Sequence, residues 1–231
     1  MKLKLILPLF VAAFAVASEY TGLDLALVKP FYDPASNTWP LRDNFFVSGV
    51  MHSFGRDLIA YIMIGVLVLL IGSFIHSRLR RYRKGAAYML LGGLLGTGIV
   101  AVLKNCTHIY SPWDLTIFGA DKPYVRLFDA VPEGATVGHA FPGGHSSGGF
   151  GLLALYFLLL HYAPRYRFVG LAAGLIVGGA FGAAQEMRGA HFLSHDLFSA
   201  VICWYAALGV YYAMYRNEPA NAVEAQHETA A

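Results

Sequence analysis

Five long apolar stretches constrain the fold of this chain more than any other feature. They cover residues 58–75, 86–103, 146–162, 168–184 and 197–214. Each is close to the ~17–25 residues that an α-helix needs to cross the hydrocarbon core of a bilayer. A spanning segment must satisfy its own backbone hydrogen bonds, and these stretches show little of the alternation of a barrel strand. The predicted fold class is therefore all-α, a polytopic membrane helical bundle.

A sixth, shorter apolar stretch covers residues 5–17 and allows two interpretations. Lys2 and Lys4 precede it, and Ala15-Val16-Ala17 is similar to a signal cleavage site. The stretch is thus either a secretory signal or the first membrane helix. The bundle has six transmembrane helices in the second case, and five if the first is a cleaved signal. Both choices deliver Ser18 to the outer side.

The scarcity of charge supports a membrane location. Only 13% of the residues are charged and 57% are hydrophobic, whereas a soluble domain carries about 25% charged residues. Membrane lipid is therefore an expected partner. Nucleic acid is not, because no run of Lys and Arg carries interleaved aromatic residues in a soluble segment. Cys106 and Cys203 form no spacing motif, so a disulfide is not expected.

Basic residues between the stretches predict the orientation of the bundle. They cluster after the first, third and fifth long stretches, at Arg78, Arg80, Arg81, Arg83, Lys84, Arg165, Arg167 and Arg216. By the positive-inside rule these ends are cytoplasmic. Segments 18–57, 104–145 and 188–195 then face outward, and the alternation closes without contradiction.

The same pattern divides the chain into three regions. Residues 1–57 hold the first helix or signal and an outer segment, which is either an interfacial segment or a packed loop. Residues 58–215 form the membrane domain, and residues 216–231 form a polar tail for which disorder on the cytoplasmic side is expected. Glycines repeat every fourth residue from Gly170 to Gly182, a spacing that predicts close helix packing.

Three outward-facing stretches hold most of the ionisable residues at the membrane edge. They read KNCTHIYSPWD over 104–114, FPGGHSS over 141–147 and QEMRGAHFLSHD over 185–196. Each lies where a spanning helix meets the outer surface, so a bundle can bring all three together. Ionisable groups at this depth are costly and usually functional.

Local chemistry in these stretches favours phosphate. In Pro142-Gly143-Gly144-His145 two glycines precede a helix, whose first N–H groups form an anion site beside a histidine that can carry a proton. Arg188, His191 and His195 have the spacing of one helix face, and arginine suits phosphoryl oxygens. The alternative readings are a glycine-rich helix cap, a set of interfacial polar side chains and, for Lys104, a lysine reaching the interface.

Taken together, the three stretches resemble the type 2 phosphatidic acid phosphatase (PAP2) superfamily. Its signature is Lys, six residues, Arg-Pro; then Pro-Ser-Gly-His; then Ser-Arg, five residues, His, three residues, Asp. The chain reads Lys104, six residues, Ser111-Pro112; then the Pro142 to His145 stretch; and then His191 as the third histidine. The resemblance covers residues 86–214, which makes 58–215 a PAP2-like catalytic domain.

The chain departs from that signature at several positions. Ser111 stands in place of Arg, Gly143 in place of Ser, and Ala184-Gln185 in place of Ser-Arg, with Arg188 one turn later as a replacement cation. His195 occupies the position of the final Asp, and Asp196 follows it. Either the helix begins after His191, which lets Asp196 swing in, or His195 is itself the orienting or attacking group.

The resemblance implies roles for these residues. His191 would be the nucleophile, His145 the general acid, and His195 or Asp196 the group that orients His191. The phosphate would be bound by Lys104, Arg188 and backbone or side-chain donors of Gly143, Gly144 and Ser146. Because the signature Ser and Arg are missing, either the substrate brings different contacts or Arg126 and Lys122 in the long outer loop compensate. No metal and no cofactor are implied.

The predicted function is hydrolysis of a lipid phosphate monoester or diphosphate through a phosphohistidine. The expected substrates are phosphatidate-like lipids, undecaprenyl diphosphate or lipid A, at a multi-pass protein of the bacterial inner membrane whose active site faces the periplasm. One alternative is a phosphotransferase with the same site. The others are a non-catalytic lipid-phosphate binder and a metalloenzyme built on His191, His195, His139 and His145, although no Glu lies between the helical histidines.

Overall fold

The computed structural model describes residues 2–217, and its helices confirm the predicted all-α bundle. No β-strand forms within this range. The α-helices are α1 (Lys2–Thr21), α2 (Leu23–Val28), α3 (Gly55–Ile75), α4 (Arg83–Lys104), α5 (Gly144–Phe150), α6 (Ala154–Tyr162), α7 (Arg167–Met187) and α8 (Leu193–Tyr215). A π-helix over Phe45–Phe54 leads directly into α3. Most of the tail expected at 216–231 lies outside the described residues.

Five helical runs have the length and hydropathy needed to cross a membrane. They are Lys2–Thr21, Phe45–Ile75, Ser77–Lys104, Pro164–Met187 and Leu193–Tyr215. The predicted stretch at 146–162 is helical as well, but a single 3-10 turn at Gly151–Leu153 divides it into α5 and α6. The run expected to start at residue 58 starts at Phe45, because the π-helix extends α3 outward. The chain is thus a multi-pass membrane protein.

The N-terminal helix α1 packs against α8 as part of the bundle. The Trp204 indole N–H donates to the Lys4 carbonyl (2.8 Å), and the Tyr205 hydroxyl donates to the Leu5 carbonyl (2.6 Å). The helix continues through the possible cleavage region, with Ala15 fully buried. Residues 2–21 thus form one helix that contacts α8.

The glycine repeat of α7 forms a close contact with α5 and α6, as predicted. A Cβ on Gly170 would lie 2.7 Å from the Leu155 carbonyl carbon, and one on Gly174 would lie 2.7 Å from the Leu153 nitrogen. Side chains at these positions would collide with backbone, which cannot yield. The small residues therefore allow α7 to lie directly against the α5–α6 pair.

The outer loops form a small aromatic cap above the bundle. Trp39 packs edge-on against Phe118 with 5.1 Å between ring centroids, in a cluster that also buries Leu115 and Phe192. The packed-loop alternative therefore describes most of segment 19–44. Phe45, at the start of the π-helix, is instead 82% exposed, as expected of a residue that contacts lipid.

Candidate active site

A cavity of about 590 Å³ opens at the rim of the bundle beneath the aromatic cap. It is lined by residues from the π-helix, from α3, α4, α5 and α7, and from the loop before α8. Its polar end holds Lys104, His145, Arg188 and His191, which come from three separate stretches of the sequence. Its apolar end runs down between helices and holds Ile59, Met63, Leu94 and Leu152. The shape suits a molecule with an anionic head and a hydrocarbon tail.

Two permanent cations of the cavity come from helix ends. Lys104 is the last residue of α4, and its Nζ lies 3.0 Å from the point that a Cβ on Gly144 would occupy. Arg188 follows α7, where its Nε donates to the Arg42 carbonyl (2.8 Å) and one terminal nitrogen donates to Gln185 Oε1 (3.2 Å). These two bonds fix the guanidinium and leave other N–H donors for a ligand.

His191 lies in the loop before α8. Among the described histidines that line the cavity, it is the buried one. Its Nδ1 is 3.5 Å from Nδ1 of His195, which is 1% exposed and does not line the cavity. Burial, together with the nearby charges of His195 and Lys104, holds the pKa of His191 well below its usual range. The imidazole is therefore neutral at neutral pH and has a lone pair available.

The structure shows which side chain contacts His191. The helix α8 does begin after His191, at Leu193. Even so, the carboxylate of Asp196 lies between Gly143 and Gly182, where a Cβ on Gly182 would be 2.7 Å from Oδ2. The side chain in contact with His191 is His195.

His145 is held by the π-helix. Its Nε2 is 3.1 Å from the Met51 carbonyl, and its ring stacks on Phe181 at 4.5 Å between centroids. A carbonyl oxygen only accepts hydrogen bonds, so Nε2 carries the hydrogen in this contact. The other nitrogen, Nδ1, is then the atom at which His145 gains or loses a proton.

Gly143 and Ser146 do not line the cavity, in contrast to the expected role in phosphate binding. The Gly143 N–H donates to the His195 carbonyl (2.9 Å), and the hydroxyl of Ser199 donates to the Gly143 carbonyl (2.8 Å). The hydroxyl of Ser146, which is fully buried, donates to the same carbonyl (3.1 Å). These bonds fasten the loop to α8, whereas Gly144 does line the cavity.

Two cavity residues were not anticipated from the sequence, namely His52 and Arg56. Both come from the segment where the π-helix meets α3, far in sequence from the three stretches. Arg126 and Lys122, expected to compensate for the missing signature residues, lie outside the cavity and pair with Asp129 and Asp121. That expectation was wrong, because this part of the outer loop does not reach the cavity, although Ser111, Trp113 and His139 of the same loop do.

Two further polar residues line the cavity without carrying a permanent charge. Ser111, at the position where the signature has Arg, and His139 both line the cavity. Across residues 2–217, no group of three or more His, Cys, Asp or Glu side chains is arranged to hold a metal ion.

The fold and the site define the protein as a membrane helical bundle with a cationic, histidine-bearing cavity at its rim. The sequence model of the PAP2 superfamily matches residues 85–219, and the chain belongs to this superfamily. It is 25% identical over 202 residues to the lipid A 4'-phosphatase of Francisella tularensis subsp. novicida (strain U112), which covers 86% of this chain and 89% of the relative. No solved structure matches significantly. The chain is thus a membrane lipid phosphatase.

Proposed function

We propose that this protein hydrolyses a phosphate monoester on a lipid A-type phosphorylated glycolipid through a phosphohistidine intermediate. The observation that carries the chemistry is the single cavity shared by Lys104, Arg188, His145 and His191. The apolar end of the same cavity supports a lipid as substrate. The extensive similarity to a lipid A 4'-phosphatase supports the headgroup class.

In the first step, Nε2 of His191 attacks phosphorus while the bond from phosphorus to the lipid oxygen breaks. His195, which contacts the opposite nitrogen of the ring, orients His191 for this attack. His145 donates a proton to the departing oxygen, which leaves as the lipid alcohol. Burial lowers the pKa of His145 to about 4 in the empty site, and the negative charge of the bound phosphate raises it again so that the ring can carry this proton. Proton transfer by such a residue typically contributes about 10²–10⁴ in rate.

In the second step, water attacks the phosphohistidine. His145, now deprotonated, accepts a proton from this water, the P–N bond breaks, and His191 returns to its neutral form with release of inorganic phosphate. Lys104 and Arg188 stabilise the phosphoryl oxygens in both steps. The N–H of Gly144 adds a donor, since the first-turn amides of a helix have no intrahelical partner.

The cavity faces the periplasm of a bacterial inner membrane in this proposal. The clusters of basic residues lie at the ends of the helices away from the cavity, as the positive-inside rule requires of cytoplasmic ends. Cys106 is exposed two residues after α4, beside the cavity rim, whereas Cys203 is buried. A membrane-impermeant maleimide should therefore label wild-type protein in intact spheroplasts, and a Cys106→Ser variant should stay unlabelled. Labelling only after lysis would reverse the orientation.

The experiment that tests the reaction is phosphate release by purified protein from lipid A, phosphatidate and undecaprenyl diphosphate. We expect release from lipid A, with a loss of at least about 10³-fold for His191→Ala and His145→Ala and a smaller loss for His195→Gln. His76→Ala, at the far end of α3, is the matched control and should retain full activity.

Two further readouts separate the mechanisms. Wild type treated with ³²P-labelled substrate and quenched in base should carry label, and His191→Ala should not. A fully active His191→Ala variant would remove His191 as nucleophile. Thin-layer analysis that finds a new phospholipid in place of free phosphate would identify a transferase.

A further inference from the structure

The cavity carries more fixed positive charge than one phosphate group requires. A phosphate monoester has a charge of about −1.5 to −2 near neutral pH, which Lys104 and Arg188 together match. Arg56 is a third permanent cation in the lining, and His52 lies beside it, one helical turn earlier. In the part of the chain that the structure describes, no carboxylate lines this cavity.

Arg56 lies on a different side of the cavity from the nucleophile. The imidazole of His52 lies against that of His145, and Nε2 of His145 is 3.1 Å from the Met51 carbonyl. His191 instead contacts His195, with 3.5 Å between the two Nδ1 atoms. His52 and Arg56 therefore belong to the side of the cavity next to His145.

The position of Arg56 and His52 relative to His145 predicts which part of the substrate they face during a displacement at phosphorus. The attacking and leaving oxygens or nitrogens lie roughly in line across phosphorus. If His191 attacks and His145 protonates the leaving oxygen, residues beyond His145 face the leaving part of the substrate. That part is the remainder of the lipid headgroup.

Packing holds His52 and Arg56 in this position. A Cβ on Gly55 would lie 2.6 Å from Cε1 of Phe181, so α3 approaches α7 through a residue without a side chain. The imidazole of His52 lies 4.5 Å from that of His145 between ring centroids. The segment from His52 to Arg56 is thus fixed against the site by contacts on both sides.

The present partner of Arg56 is weak. Its guanidinium pairs with Asp57 at 2.9 Å, and the two side chains are 62% and 48% exposed. An exposed pair of this kind contributes little to stability. An entering anion can therefore displace Asp57 at little cost.

We propose that Arg56 and His52 form a second anion-binding subsite, which takes a second phosphoryl group of the substrate headgroup on the leaving-group side of His145. This inference rests on the proposed function and deepens it, since it makes the preferred substrate a lipid with two phosphoryl groups. These groups are either joined in a diphosphate or placed apart on one glycolipid headgroup.

The test compares matched lipids that differ only in the second phosphoryl group. One pair is a polyprenyl diphosphate and its monophosphate, and the other is lipid A and lipid A that lacks the 1-phosphate. The proteins are wild type, Arg56→Gln, Arg56→Lys and the control Lys122→Gln, which removes a cation that also pairs with a neighbouring aspartate. Values of kcat/KM are measured for each combination.

We expect Arg56→Gln to lower kcat/KM about tenfold to hundredfold for the lipids with two phosphoryl groups, the size of one charge-assisted hydrogen bond. The lipids with one phosphoryl group should change less than about twofold, and Arg56→Lys should restore part of the loss. A response confined to the prenyl pair identifies a leaving phosphate. A response confined to the glycolipid pair identifies a remote one.

An equal loss on both members of each pair would overturn the subsite, since Arg56 would then bind the reacting phosphate. No loss on any lipid would also overturn it. Binding of the same four lipids to His191→Ala and to His191→Ala with Arg56→Gln, in nanodiscs, gives the answer without turnover. If wild type releases no phosphate, the proposed function fails while this binding comparison still decides the subsite.

Discussion

The segment from His191 to Asp196 separates two polar regions of opposite character. On one side lies the cavity, open and cationic, with His191, Lys104 and Arg188 in its lining. On the other side lies a closed group of carboxylates, in which Asp24 and Asp196 are 0% and 4% exposed. Both regions look alike in sequence, as charged residues near helix ends at the outer surface.

The partners of the two regions differ in kind. Asp24 accepts from the hydroxyl of Ser18 (2.5 Å) and from the backbone N–H of Ser194 in the first turn of α8 (3.2 Å). Glu19 accepts from the backbone N–H of Leu127 (3.0 Å). Burial raises the pKa of Asp24, as expected of a carboxyl group placed for structure and not for binding a solvated ligand. Asp24 Oδ2 and both carboxylate oxygens of Asp196 are buried without a hydrogen-bond partner among the described residues. The cavity cations, in contrast, line an open cavity that a ligand can enter.

We infer from this difference that the acidic region supports the fold, and we propose that the cationic region supports the chemistry. Asp24 caps α8 from a segment 170 residues away, and α8 begins two residues after His191. The acidic region therefore fixes the loop that the cationic region uses. Substitutions should separate the two contributions, because one set should change the rate and the other the stability.

The largest expected effect is on the rate. Lys104→Gln should lower kcat/KM by about 10²–10³, the usual loss when a fixed group that stabilises developing charge is removed. The unfolding temperature in detergent should stay nearly unchanged, because Lys104 makes no salt bridge among the described residues. Lys29→Gln, an exposed lysine of the outer segment, is the control. A lower unfolding temperature with a normal rate per folded molecule would break the comparison.

The sequence could predict the cationic side well, since Lys104, His145 and His191 keep the order and much of the spacing of a known signature. It could not predict that Gly143 has its N–H bonded to His195 and its carbonyl bonded to Ser199. Such contacts join residues about 50 apart in sequence and leave no mark in a local pattern. A glycine just before a helix is compatible with a loop that binds phosphate and also with a loop that is hydrogen-bonded to a neighbouring helix.

The same reason explains why Arg56 and His52 were missed. They lie at the outer end of a membrane helix, where a charged residue ordinarily contacts water. Only the approach of Gly55 to Phe181 turns them toward the cavity. The helices themselves were predictable to within a few residues at most ends, because hydropathy over a long stretch is a property of the sequence alone. The end at Phe45 was an exception, since Arg56 and Asp57 mark a false boundary inside a continuous helix.

A smaller effect, and on stability, is expected in the acidic region. Asp24→Ala leaves the Ser18 hydroxyl and the Ser194 N–H without their acceptor, and it should lower the free energy of unfolding by about 1–3 kcal/mol. Unfolding in detergent by heat or by added SDS measures this. Activity per folded molecule should change less than about threefold, since Asp24 does not line the cavity.

The matched control for Asp24→Ala is Asp121→Ala, whose side chain is 80% exposed and pairs with Lys122. It should leave the stability nearly unchanged. If Asp24→Ala instead kept full stability and lost activity, the acidic region would belong to the chemistry and the division between the two regions would be wrong.

The smallest expected effect concerns the protonation of His191, and it sharpens the comparison most directly. An ordinary histidine, with a pKa of about 6.5, is half protonated at pH 6.5. Because burial lowers the pKa of His191, its imidazole should stay neutral at that pH. Lowering the pH from 7.5 to 6.5 should then leave the nucleophilic fraction nearly unchanged, whereas it would nearly halve that of an ordinary histidine. The sign follows because protonation removes the lone pair, and a lowered pKa moves this loss to more acidic pH.

An NMR titration of ¹³C-labelled histidine, with the His191 signal assigned by its absence in His191→Gln, measures the pKa without interference from the titration of the substrate. If His191 titrates at pH 6.5 or above, water reaches its ring freely. The imidazole would then be as solvated as the cavity cations, and the inferred difference in burial between them would be wrong.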